Sequence, residues 1–226
     1  MLEATANRWK IDGDKVDRSG APLLIFAHGA GAPMDSGFMQ AMTALLVALG
    51  LGVVRFEFGY MAARRVSEKC PPPPKMPVLE AEYRCIIAGV AQRYPQAKLF
   101  IGGKSMGGRV ASLVADAEWA AGRIAGCICV GYPFHPAKQP DKLRTTHLAD
   151  VRCPTLIVQG ERDRLGDRND VDGYRLSQAI EIDWIGDGDH DLRPRKSSGL
   201  TPDGNLSHAA DAIAAFAGGA ILNVAT

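Results

Sequence analysis

Short runs of consecutive apolar residues, such as Leu23-Leu24-Ile25-Phe26 and Ile124-Ala125-Gly126-Cys127-Ile128-Cys129-Val130, return along the chain with stretches of helical periodicity between them. A strand apolar on both sides needs cover on both faces, which suits parallel strands held between two helix layers. Strands are expected at residues 22–27, 52–58, 98–102, 124–130, 155–159 and 180–185, and helices at 36–49, 78–94, 107–121, 171–178 and 206–216. Alternation at this spacing implies right-handed βαβ crossovers and an α/β fold, a doubly wound, mostly parallel sheet with helices on both faces. The 226 residues suit a single such domain, 1–226.

Ligands of open parallel sheets bind outside the carboxyl ends of the strands, so the residues just after each run carry the functional argument. The first run is followed by His28-Gly29-Ala30-Gly31-Ala32 and the third by Gly103-Lys104-Ser105-Met106-Gly107. The fifth is followed by Gly160-Glu161-Arg162-Asp163 and the sixth by Gly186-Asp187-Gly188-Asp189-His190. G-x-S-x-G between a strand and a helix holds its serine on a sharp turn, with the hydroxyl exposed and the next N–H free for an oxyanion. Gly103 and Gly107 are expected where strand and helix backbones come too close for a Cβ. Three strand ends thus offer serine, aspartate and histidine in that order. The types fit acyl transfer: a hydroxyl is a poor nucleophile, a histidine must take its proton, and a carboxylate must fix the histidine tautomer. Against this, Ser105 could be a plain helix N-cap, Glu161 and Asp167 compete with Asp163, and His208 competes with His190. A phosphate-loop reading of Gly103-Lys104-Ser105 fails, because the motif requires glycine where Lys98 stands.

These segments, together with Arg55-Phe56-Glu57-Phe58 and Gly131-Tyr132-Pro133-Phe134-His135-Pro136, resemble the α/β-hydrolase superfamily over nearly the whole chain. Within it they resemble a branch of small, cap-poor bacterial proteins related to a domain in subunit 3 of the NSL chromatin complex and in a testis-expressed protein. The resemblance implies Ser105 as nucleophile, His190 as base, Asp163 as orienting acid, and the N–H groups of Met106 and Ala30 as oxyanion donors, with His28, Gly29 and Gly31 shaping the oxyanion turn. It implies a serine hydrolase of an ester, thioester or related acyl bond in a small-molecule substrate, with no metal and no cofactor. The other reading is a non-catalytic interaction domain with a protein partner, since fold does not fix function.

A formal charge of +1 gives no reason to expect nucleic acid or an anionic membrane as partner. Residues 1–12 include Glu3, Arg8 and Lys10 and lack the apolar core of a secretory signal, and no apolar stretch approaches bilayer length, so a cytoplasmic location is expected. Five cysteines without C-x-x-C spacing (Cys70, Cys85, Cys127, Cys129, Cys153) read as buried free thiols. Arg64, Arg65, Lys104, Lys138, Lys142 and Arg144 could favour an anionic substrate, although solvated charge is the commoner role. Pro71 to Pro74 form a stiff connector that could rim the site. Residues 131–154 are short and polar for a cap, which points to short acyl groups or a polar substrate.

Overall fold

The computed structural model describes residues 9–13, 20–67 and 70–222. In chain order its elements are β1 (Trp9–Asp12), β2 (Pro22–Ala27), α1 (Gly37–Ala48), β3 (Gly52–Phe56), α2 (Gly59–Val66), α3 (Met76–Arg93), β4 (Lys98–Lys104), α4 (Met106–Ala120), β5 (Gly126–Val130), β6 (Thr155–Gly160), α5 (Arg168–Asp172), β7 (Ile180–Ile185) and α6 (Pro202–Leu222). The seven strands form one sheet in the order β1-β3-β2-β4-β5-β6-β7. All neighbours are parallel except the edge pair β1–β3. This is the doubly wound, mostly parallel α/β architecture.

The period-2 geometry of a strand sends alternate side chains to opposite layers. Leu23, Ile25 and Ala27 of β2 join Tyr83 and Ile87 of α3 and Val110 and Val114 of α4. Leu24 and Phe26 join Met39, Met42 and Leu46 of α1 and Ala210 and Ile213 of α6. Both faces of the central strands are therefore buried, which is why their sequence is apolar without alternation. At about 25 cal/mol per Å² of apolar surface removed from water, these two layers supply the main favourable term of folding. The chain leaves β2 for β3 on one side and returns to β4 on the other. That reversal opens a crevice at the carboxyl ends of β2 and β4.

Several boundaries differ from the sequence reading. The strand expected at 52–58 stops at Phe56, because the Phe58 N–H donates to His28 Nε2 (3.2 Å) instead of to a ladder. The strand expected at 98–102 runs on to Lys104, since Gly103 pairs with Ala27 and Lys104 with Val130. The helix expected at 171–178 is only Arg168–Asp172, capped by the Asp167 carboxylate and ended at Gly173. Edge strand β1 and helix α2 had no counterpart in the sequence reading. Residues 1–8 of the segment considered as a leader lie outside the described residues. Among the described residues no helix is long and apolar enough to cross a membrane. Cys127, Cys129 and Cys153 are buried as expected, but Cys70 and Cys85 are exposed; Cys85 is on the outward side of α3, away from its buried residues.

Candidate active site

Ser105 occupies the one-residue turn between β4 and α4, with φ 53° and ψ −114°. Such a backbone costs a non-glycine residue of order 1–3 kcal/mol and persists only where its surroundings impose it. A Cβ at Gly103 would meet the Ala27 carbonyl oxygen at 2.6 Å, and one at Gly107 would meet the carbonyl oxygens of Ala27 and His28 at 2.6 and 2.7 Å. Only glycine fits at these two positions. Ser105 makes no side-chain cap to the helix it precedes.

Its hydroxyl lies 3.0 Å from His190 Nε2, and His190 Nδ1 lies 2.7 Å from Asp163 Oδ2. The carboxylate is fully buried, while the histidine side chain is 25% exposed, so one end of the chain is dry and the other reachable. A buried carboxylate needs donors. Asp163 Oδ1 accepts the Leu165 N–H at 2.9 Å, and Oδ2 accepts from Gln159 Nε2 at 3.0 Å as well as from the imidazole. A carboxylate at Nδ1 puts the proton on that nitrogen and leaves Nε2 as the acceptor for a serine hydroxyl.

The competing residues have other work. Glu161 accepts the Asp187 N–H and pairs with Arg168, Asp167 caps α5, and His208 lies 3.3 Å from Asp183. That pair borders a groove of about 1360 Å³ at the opposite, amino-terminal end of the strands, remote from Ser105 and lined also by Leu99, Trp119, Pro154 and Phe216.

The turn after β2 is fixed from three sides. His28 is buried, donates from Nδ1 to the Gly29 carbonyl (2.7 Å) and accepts the Phe58 N–H at Nε2. Burial pushes its pKa down, so it is a neutral brace. Tyr60 of α2 donates to the Ala30 carbonyl at 3.0 Å, and its oxygen is 4.0 Å from the Met106 sulfur. Arg55 donates to the Met34 carbonyl, and Glu57, gripped by Arg65, accepts the Met34 N–H. Met106 is the first residue of α4, where an N–H has no partner within the helix. Gly29 and Gly31 are not dictated by crowding: a Cβ at Gly29 would make ordinary contacts, and one at Gly31 would meet nothing within 4 Å.

Lys104 corrects one expectation. It is buried, donates to the His190 carbonyl at 2.6 Å, lies 3.4 Å from Asp191 and sits 5.4 Å from the Phe38 ring centre. Burial lowers its pKa against the pull of Asp191 and Asp163. It pins the histidine loop and is not a free cation for substrate. Arg65 is likewise held by Glu57 and Asp35. Arg64 holds the Pro71 carbonyl through two nitrogens at 3.0 and 2.7 Å, which ties the proline connector to α2. Sequence reasoning missed Gln159, which is buried and also accepts the Tyr132 N–H (2.7 Å) and donates toward the Tyr132 and Gly166 carbonyls. Its one signal was a lone polar residue at the end of an apolar strand. Among the described residues no cluster of three His, Cys, Asp or Glu side chains could hold a metal ion.

The family model described as the alpha/beta hydrolase domain matches residues 20–218. Among solved structures, an alpha-beta serine hydrolase homologue from Coxiella burnetii is 18% identical, with 91% of this chain and 89% of that chain covered and a TM-score of 0.67. Est1E from Butyrivibrio proteoclasticus is 14% identical, covering 95% and 94% at a TM-score of 0.68. A member of the a/b serine hydrolases without lid from Xanthomonas campestris is 21% identical, covering 91% and 88% at 0.63. At these identities the structures speak for the fold.

Proposed function

The chain belongs to the alpha/beta hydrolase domain family, and we propose that it is a serine hydrolase cleaving an ester, thioester or related acyl bond through an acyl-serine intermediate. The observation that carries this reading is the unbroken series Ser105–His190–Asp163, at 3.0 and 2.7 Å, on a serine whose backbone is held in a strained conformation. Ser105 Oγ attacks the carbonyl carbon as His190 Nε2 takes its proton, and the imidazolium is stabilised by Asp163. The negative charge moves to the carbonyl oxygen, where the N–H groups of Met106 and Ala30 receive it. Collapse breaks the bond to the leaving group, which departs with the proton from His190. Water then repeats the sequence on the acyl-serine, with His190 as base and then acid. No cofactor enters these steps.

The excursion between β5 and β6 supports a small or polar substrate and the cap-poor placement. It contains one 3-10 turn, Thr146–Ala149, and its large aromatics Tyr132 and Phe134 are buried in the core. Without apolar walls an enzyme forfeits about 0.8 kcal/mol for each acyl methylene that stays in water. The test is kcat/KM on 4-nitrophenyl esters from acetate to palmitate, all in monomeric solution. It should peak at short chains; a value climbing steadily past octanoate would contradict this substrate class.

A further inference from the structure

The loop that carries His190 is strained on both sides of it. Apart from Ser105, the non-glycine residues with positive φ among the described residues are Asp187 (φ 49°) and Leu192 (φ 64°), and they flank the histidine. A left-handed backbone is costly for a leucine and persists only where its surroundings impose it. The Leu192 N–H donates to the Asp189 carbonyl at 2.9 Å, which closes a four-residue turn with His190 and Asp191 at its corner. Slackening at Leu192 would therefore carry the imidazole away from Ser105 Oγ, now 3.0 Å from Nε2.

Helix α6 supplies a restraint. Asn205, in its first turn, is buried, and its Nδ2 donates to the Gly186 carbonyl at 3.0 Å and to the Leu192 carbonyl at 2.8 Å. Gly186 follows β7 and Leu192 leaves the turn, so one side-chain amide spans both ends of the histidine loop. The stoichiometry closes, because an NH2 group has two hydrogens and both meet carbonyl oxygens. A serine could offer one hydrogen and an aspartate none. Leu192 is itself packed in the layer formed with α1 and α6. If its backbone relaxed and its carbonyl left Asn205, two buried polar groups would lose their bond, so the amide and the strained residue hold each other in place. Lys104 grips the same loop at its middle, through the His190 carbonyl, and half-buried Arg162 reaches the Asp187 and Arg193 carbonyls at 3.0 and 3.5 Å.

We propose that Asn205 is a positioning residue for the base: by clasping both ends of the loop it holds Leu192 left-handed and keeps His190 between Ser105 and Asp163. Its effect on turnover rests on the hydrolase reading. Its effect on the imidazole does not.

The test compares Asn205→Asp and Asn205→Ala with Ile213→Ala, which empties a buried site on the same helix. Asn205→Ala keeps the test usable should the buried charge of Asn205→Asp prevent folding. On 4-nitrophenyl acetate, well below each melting temperature, the Asn205 variants should lose about tenfold to a hundredfold in kcat with little change in KM, the cost of a displaced catalytic group. Ile213→Ala should melt earlier and keep its kcat. Long-range nitrogen–proton spectra at alkaline pH, with His190 assigned through His190→Gln, read the imidazole without any substrate. Wild type should show one tautomer, protonated on Nδ1, and the Asn205 variants a mixture with the Nε2–H form. Wild-type kcat in the Asn205 variants, or an equal kcat loss in Ile213→Ala, would overturn the proposal. If wild type cleaves no ester, the hydrolase reading fails by itself and the spectra decide: two tautomers in wild type, or a single unchanged tautomer in the Asn205 variants, would overturn the clasp.

Discussion

Replacing Asp163 by Asn changes one atom, and the surroundings of this side chain make the outcome computable. Three donors point at the carboxylate: the Leu165 N–H at Oδ1, and His190 Nδ1–H and Gln159 Nε2–H at Oδ2. An amide offers one acceptor oxygen and one NH2 group. If the oxygen keeps the His190 and Gln159 bonds, the NH2 faces the Leu165 N–H in a buried site. If the oxygen turns to Leu165, the NH2 faces Gln159 Nε2 and drives the His190 proton to Nε2, the tautomer that cannot accept from Ser105. Either arrangement leaves a buried donor unsatisfied, which costs about 1–3 kcal/mol, or roughly 3–10 °C in melting temperature for a chain of this size. The catalytic loss should be larger, since aspartate-to-asparagine in a serine protease triad lowers kcat about 10⁴-fold. The assay is kcat on 4-nitrophenyl acetate beside a thermal melt of the same preparation. A folded Asp163→Asn protein within about tenfold of wild-type kcat would refute the role given to this carboxylate.

Gly107→Ala should lower the melting temperature by roughly 10 °C or abolish soluble expression. Its Cβ would lie 2.6 Å from a backbone oxygen of β2, an overpacking of about 3 kcal/mol or more with no side chain to yield; an unchanged melt would contradict the close approach. His147 binds its proton less readily folded, at about 4, than unfolded, near 6.5. Between those values the unfolded state holds more protons, so stability should drain as pH falls through that window, by about 2 kcal/mol after allowance for partial exposure. His147→Gln should flatten the urea midpoint between pH 7 and pH 4.5, and a profile identical to wild type would remove His147 as the cause.

How much of this was written in the sequence depends on how local each signal is. The central strands were legible because burial on both faces leaves unbroken apolar runs, as in Leu23 to Phe26. Ser105, Asp163 and His190 were legible because each follows a strand end, which also set His190 apart from His208 on the terminal helix. Edge strand β1 escaped because it is only four residues long and pairs only with β3. Helix α2 escaped because it buries only Tyr60 and Met61 in eight residues. The supporting groups were hidden for a different reason. Lys104, Gln159 and Tyr60 act through hydrogen bonds to residues 86, 27 and 30 positions away, and a lysine or glutamine with a buried long-range partner reads in sequence like any surface residue.

The account turns on whether Ser105 is an activated nucleophile. The direct measurement is labelling of the whole protein with a fluorophosphonate probe, with the modified residue located by peptide mass spectrometry in wild type and in Ser105→Ala. The account predicts one stoichiometric label, on Ser105. Wild-type protein that stays unlabelled at saturating probe, or Ser105→Ala protein that labels and hydrolyses esters like wild type, would contradict it.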